Sequence, residues 1–320
     1  MNNSMIINFL YASILAGVPL LLGTIGEILT QKSGNLNLGV EGMMYLGAIF
    51  GFYGAYALDS IILSLTFGII GGMAGALIYA FITVSLKADQ NVAGLTLTIF
   101  GTGVANSIGA ALVKSSINNN VSISPYIKSM CKELDLGFLS NIPIVGRLVF
   151  SHNFFVYIAL FAALFMGYYL NHTRFGRNLR AVGENPAAAD SAGIDVSKYK
   201  YIHILIGGGM SGIAGTYIAL ITCGGTWTHN AVAGQGWIAV ALVIFASWKP
   251  YRAIFGSIIF GALSILRLYL PKSVIDIPPA IFSMLPFIVT SLVLVISSIN
   301  MKKENQQPLS CGINYFREER

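Results

Sequence analysis

Charged residues are the scarcest class in this chain. Asp, Glu, Lys and Arg make up 10% of its 320 residues, against 55% hydrophobic, and mean hydropathy is +0.71. A water-facing surface cannot be built from so few charges. Cysteine is nearly absent as well. Cys131, Cys223 and Cys311 lie far apart, with no CxxC pair and no His at ligand spacing, so neither a disulfide framework nor a metal site is indicated; a Cys131–Cys223 bridge stays open only because both residues can be placed outside. The phosphate-loop pattern GxxxxGK[ST] is missing, as are an HExxH helix, a Ser/His/Asp motif and paired carboxylates. No catalytic residue, metal or cofactor is therefore assigned, and the chain is not expected to bind or hydrolyse ATP by itself. No Lys or Arg precedes the first apolar run near Met5, so that run is expected to stay as a helix rather than leave as a signal peptide. The net charge of +6 does not point to nucleic acid, because the basic residues are spread through connecting segments without a basic, aromatic-studded face.

What the chain does have is a series of continuous apolar runs, several reaching the roughly 20 residues that span a bilayer. A transmembrane barrel would alternate in polarity instead. The fold class is thus an all-α polytopic membrane protein, with about nine spans (eight to ten) expected near 6–29, 37–58, 61–86, 91–113, 152–171, 201–222, 234–248, 253–270 and 280–299. With the N-terminus outside, the inner connections hold Lys32, Lys87, Arg174, Arg177, Arg180, Lys198, Lys200, Lys249, Arg252, Lys302, Lys303, Arg317 and Arg320, whereas few bases remain outside. The excess of bases places the segment 172–200 in the cytoplasm, the segment 114–152 outside, and the tail 301–320 in the cytoplasm beyond a transmembrane domain of residues 1–300.

Two spans are interrupted. SGNLNLGVEG (Ser33 to Gly42) opens the second on the inner side, and CGGTWTHNAVAGQG (Cys223 to Gly236) precedes the seventh on the outer side. The first and sixth spans run in opposite directions, as do the second and seventh, so spans one to four and six to nine are candidate inverted repeats. Broken helices at matching places in such halves point to a translocation path. GGGMSGIAG (Gly207 to Gly215) reads instead as close helix packing.

Glu27 and Glu41 are the acidic residues placed in or at the margin of a span, both near the cytoplasmic edge. For Glu41, with Lys32 as a partner, support of the broken helix is favoured over contact with solute; for Glu27 the two stand even. Asn37, Asn91, Thr96, Thr98, Asn106 and Gln235 are further candidates for a path taking a neutral polar solute, although Thr and Asn also join neighbouring helices. Trp227, His229 and Trp237 read as an interfacial aromatic belt.

The polar stretch from Arg174 to Lys200 carries its own short helix: Asn185 caps it, Pro186 suits its first position, Ala187, Ala188 and Ala189 fill it, and Gly193 ends it. A capped helix at a membrane surface is either a docking element, comprising Gly183, Glu184 and Asn185 to Ala189 with Gly193, or an ordered connection.

SGNLNLGVEGMMYLGA, FGRNLRAVGENPAAADSAGIDV, SGIAGTYIA and GQGWIAVALVIFASWKP, in this order, resemble the permease family of bacterial ABC importers for branched-chain amino acids, simple sugars and nucleosides. The NLGVEG form is most similar to the nucleoside branch. The resemblance implies a multi-pass subunit of the bacterial cytoplasmic membrane that works with a cytoplasmic ABC ATPase, a second permease chain and an extracytoplasmic solute-binding protein. It also implies that Asn185 to Ala192 is a coupling helix seated in the ATPase. The long polar loop 114–152 departs from the family pattern. Two alternatives are a simple-sugar ABC permease and an ion-driven secondary transporter, the latter sharing inverted repeats and broken helices.

Overall fold

The computed structural model describes residues 3–116, 120–134, 137, 142, 144–269, 278–299 and 306–318. Parts of the loop 114–152 and of the tail, with Lys272, Lys302, Lys303 and Arg320, lie outside the described residues. Every regular element among the described residues is a helix: α1 (Asn3–Lys32), α2 (Val40–Leu58), α3 (Ile61–Ala80), α4 (Gln90–Ser115), α5 (Pro125–Met130), α6 (Phe154–His172), α7 (Arg174–Glu184), α8 (Pro186–Ser191), α9 (Val196–Tyr217), α10 (Gln235–Phe245), α11 (Pro250–Tyr269) and α12 (Pro279–Ile299). Helices satisfy each backbone N–H within their own segment, which lipid demands. Their starts are marked by side chains: Ser60, Asp89, Asn153, Thr173, Asn185 and Asp195 each accept the backbone N–H three residues on.

Among the described residues six helices, α1, α3, α4, α6, α9 and α11, are long and apolar enough to cross a membrane. The expected seventh span is corrected to a half-length helix. With 11 residues, α10 reaches about 16 Å at 1.5 Å per residue, half of a hydrocarbon layer of roughly 30 Å. The segment before it, 223–234, is irregular. Although α2 is long enough, it is less apolar. It tolerates glycines and Glu41 because α3, α4, α9 and α10 surround it, burying nearly every residue from Val40 to Ala55.

The packing exchanges the two halves. In the first half α1 lies on α10 and α11, while α9 of the second half lies on α2 and α3. The two lead helices cross where Gly26 meets Gly207: a Cβ on Gly26 would stand 2.5 Å from the Gly207 carbonyl oxygen, and one on Gly207 2.7 Å from that of Gly26. The glycines of GGGMSGIAG do serve contact, since Gly208 and Gly212 lie against Gly72 and Gly68 of α3.

At the far end of the bundle the loop after α4 folds back onto the segment before α10. The Ile123 N–H donates to the Gly225 carbonyl (2.9 Å) and the Trp227 N–H to that of Val121 (3.0 Å). Val121, Ile123 and Ile127 of α5 are buried in the main core. Trp227 is not a belt residue. It is buried beside Phe52 and seated over Gly109 of α4, where a Cβ would collide with its indole.

Candidate functional site

The chain between α1 and α2, residues 33–39, is unwound inside the bundle, and its backbone groups are met by side chains from three helices, α1, α3 and α4. Gln90 Oε1 accepts the Leu36 N–H (2.7 Å), Tyr79 Oη donates to the Leu36 carbonyl (2.7 Å), and Thr98 Oγ1 donates to that of Leu38 (3.1 Å). Glu27 Oε1 accepts the Asn37 N–H (3.2 Å) and a hydrogen of Gln31 Nε2 (2.8 Å), while Trp248 Nε1 donates to Gln31 Oε1 (2.6 Å). Asn37 Oδ1 accepts the Gly39 N–H (2.8 Å) just before α2 begins. Irregular backbone persists at such depth only when protein groups satisfy it in this way.

Glu41 joins this unwound segment to the one before α10. One carboxylate oxygen accepts the Gly234 N–H (2.7 Å) and the other the Gly236 N–H (2.6 Å), so Glu41 caps the start of α10 with both oxygens. The site leaves no room to spare: a Cβ on Gly236 would lie 2.5 Å from the Glu41 backbone. Gly234 takes φ +86°, a value that favours glycine. Glu27 and Glu41, expected at the cytoplasmic margin, are 1% and 5% exposed. Glu41 is paired with α10 rather than Lys32, and the N-terminal end of the helix dipole favours a carboxylate there.

The remaining path candidates separate. Asn106 and Asn230 exchange hydrogen bonds: Asn106 Nδ2 donates to Asn230 Oδ1 (2.9 Å), and the Asn230 N–H donates to Asn106 Oδ1 (3.2 Å). They tie α4 to the segment before α10. Asn91 and Thr96 are exposed on the outer face of α4. Gln235 lines a cavity of about 570 Å³ with Pro19, Trp237, Ser264, Phe282 and Pro286, between α1, α10, α11 and α12. The candidates thus lie at separate places: Asn37, Glu41 and Thr98 hold backbone, and Asn106 holds Asn230. Gln90, Tyr79 and Gln31 escaped the sequence reading because their partners are remote in the chain.

The loop between α6 and α9 forms two helices. Besides α8, the segment from Arg174 to Glu184 is helical, with Gly176, Leu179, Val182 and Gly183 inward and Arg174, Arg177 and Arg180 outward. That spacing of three and four residues was readable, but the high polarity of the stretch argued for loop. Asn185 Oδ1 accepts the Ala188 N–H (3.0 Å), and Gly193 ends α8 at φ +80°. Of the docking candidates, Glu184, Asn185, Ala188 and Gly193 face outward, Pro186 and Ala187 are half-buried, and Gly183 and Ala189 are buried. Gly183 lies against the Lys32 carbonyl, so it cannot belong to an outer docking face.

Residues 9–294 match the family of branched-chain amino acid transport system permease components. The chain belongs to this permease family. It is 31% identical to a nucleoside ABC transporter permease of Lactococcus lactis over 93% of both chains. It is 32% identical to a guanosine ABC transporter permease of Bacillus subtilis over 94% of this chain and 96% of that one. A Haloferax volcanii protein, provisionally named as a glucose ABC transporter permease, is 38% identical over 81% of this chain and 76% of its own length. As a permease component the chain is a transport subunit and not itself catalytic, and its long apolar helices make it a multi-pass protein of the cytoplasmic membrane.

Proposed function

We propose that this permease is the membrane subunit of an ATP-driven importer for nucleosides, with α8 as the element that docks on a cytoplasmic ATPase. The observation that carries the reading is its similarity, over nearly the whole of both chains, to two permeases named for nucleosides. Solute would be delivered by an extracytoplasmic binding protein, and a second permease chain would complete the path, because Asn37, Glu41 and Thr98 are occupied with this chain's own backbone and Asn91 and Thr96 face outward. The cavity beside Gln235 offers an amide, the hydroxyls of Thr222 and Ser264 and aromatic rings, and among the described residues no charged side chain lines it, which suits a neutral polar solute. A simple sugar is the second reading, supported by the Haloferax relative. Ion coupling finds little support, since Glu41 is engaged by two backbone N–H groups.

Uptake decides the solute. Vesicles holding the full assembly should accumulate a labelled nucleoside only with ATP on the ATPase side, and excess unlabelled nucleoside should compete while ribose, glucose and leucine should not. Competition by sugars alone moves the assignment to the sugar branch, and accumulation on an ion gradient without ATP removes the ATP-driven reading.

The orientation has its own test. With the three native cysteines replaced, Ser129→Cys in α5 and Ser191→Cys in α8 both offer exposed thiols. An impermeant thiol reagent should label only the first in intact cells and both after permeabilisation. Labelling of Ser191→Cys alone in intact cells would invert the topology.

A further inference from the structure

Residues 306–318 follow the last helix and form no helix of their own, yet they are held at three places. The first is α7: the Ser310 N–H and hydroxyl both donate to the Gly183 carbonyl (3.0 and 2.6 Å), and Pro308 packs on the Gly183 Cα side. The second is α8: Tyr315 Oη donates to Asp190 Oδ2 (2.8 Å), and the Arg317 guanidinium pairs with the same carboxylate oxygen (3.2 Å). Tyr315 also packs on the small apolar cluster of Val182, Ala189 and Val196 that seats α8 on α9. The third is the turn between α3 and α4. Asn314 Nδ2 donates to the carbonyls of Lys87 (2.6 Å) and Ala88 (3.0 Å), and the Lys87 ammonium lies 4.3 Å from the centre of the Phe316 ring.

The third attachment continues inward. Gln90 Nε2 donates to Asn314 Oδ1 (3.1 Å), and Gln90 Oε1 accepts the Leu36 N–H of the unwound segment (2.7 Å). The tail also touches that segment directly: a Cβ on Gly34 would lie 2.6 Å from Ser310 Oγ. A continuous chain of polar contacts thus runs from Asp190 of α8, through Tyr315 and Asn314, to the backbone at the start of α2. Direct packing among these elements is apolar: Ala189 of α8 lies in one small cluster with Val182, Ile194, Val196 and Tyr199, and Gly183 of α7 lies against the Lys32 carbonyl and near Gly34.

We propose that residues 306–318 are a positioning strap that makes α8, the α3–α4 turn and the unwound segment 33–39 move as one body, with Asn314, Tyr315 and Arg317 as its positioning residues. The proposal rests on the docking role of α8 in the reading above. Displacement of α8 by an ATPase would then pull on the Leu36 backbone through Asn314 and Gln90 instead of being absorbed in the loop. The strap is suited to this task because Ser310 and Asn314 donate to backbone carbonyls and Tyr315 to the Asp190 carboxylate, directional hydrogen bonds that fix distances more closely than apolar contact. Its outermost link, Arg317 to Asp190, has one exposed partner and is correspondingly weak alone.

The test uses the full assembly in vesicles and reads solute imported per ATP hydrolysed. Deletion of residues 307–320, and separately the double variant Asn314→Ala with Tyr315→Phe, should lower that ratio at least tenfold while the ATPase still co-purifies and still hydrolyses ATP. Exchanging the charges, Asp190→Arg with Arg317→Asp, should restore more of the ratio than either change alone. The thiol of Cys311, which burial pushes up to about 12 and so keeps protonated, supplies a second readout: its labelling by a maleimide should speed up in the double variant. An unchanged ratio in the double variant, with Cys311 labelled faster, would overturn the strap while leaving the docking reading intact. Loss of ATPase co-purification on Ala188→Arg, by contrast, reports on the docking reading alone.

Discussion

Replacing Glu41 by Leu should abolish transport and markedly lower the temperature at which the purified protein aggregates in detergent. The carboxylate receives the N–H groups of Gly234 and Gly236 in a buried site. Hydrogen bonds to a charged group contribute about 1.5–3 kcal/mol each, and Leu would leave both N–H groups without a partner, so a loss of roughly 3–5 kcal/mol is expected. Glu41→Gln should fall between Leu and the native residue, because its amide keeps one acceptor oxygen but turns its NH2 group toward the second N–H. Glu41→Asp should rank beside Gln, since a side chain shorter by one methylene reaches only one donor. The melting temperature and uptake of the three variants should therefore share one order. A Glu41→Leu protein with native melting and native uptake would mean that α10 does not depend on this cap.

Why Glu41 acts on α10, and not on its own helix, was not legible. The sequence put a carboxylate in the first turn of a helix, where the dipole of that helix supplies a sufficient local account. Its actual partners are 193 and 195 residues away, and spacing along a chain carries no information about such pairs. What was legible depended on local physics: apolar runs long enough for a bilayer, the Asn185 cap with Pro186 and Gly193, and two glycine-rich interruptions. Length was also readable but not used fully. The run 234–248 is interrupted by the glycine-rich stretch just before it, and only a half-helix forms. Trp227 was drawn to the interface by composition, whereas the void over Gly109 takes it into the core. The tail had no signal at all, being a polar segment whose partners, Gly183, Asp190 and the 87–90 turn, become neighbours only after folding.

The second large effect is expected at α8. Ala188→Arg should stop import, by a hundredfold or more in initial rate, in a protein that accumulates and inserts normally. Position 188 suits the test because its side chain is exposed and its N–H, which Asn185 accepts, is kept on substitution by Arg or Ser. Arginine is also a good helix former, so α8 itself should persist. What changes is the surface offered to a partner. A small methyl face, Ala188 with Asn185 and Gly193 around it, would seat in a groove of the ATPase; a guanidinium there is a charge buried without a counter-ion, which costs an interface about 2–5 kcal/mol. That penalty corresponds to roughly 30-fold to several thousand-fold in affinity. Ala188→Ser, which adds one small hydroxyl, should keep most of the transport and so separates bulk and charge from a requirement for alanine itself. Gly183→Trp is not an equivalent test, since a side chain at 183 would strike the Lys32 carbonyl and disturb the fold before it met a partner. Two measurements check the expectation: the amount of ATPase retained on the purified permease, and import per ATP in vesicles. Native values of both for Ala188→Arg would remove α8 from the docking surface and leave the outward faces of Glu184 and α7 as the next candidates.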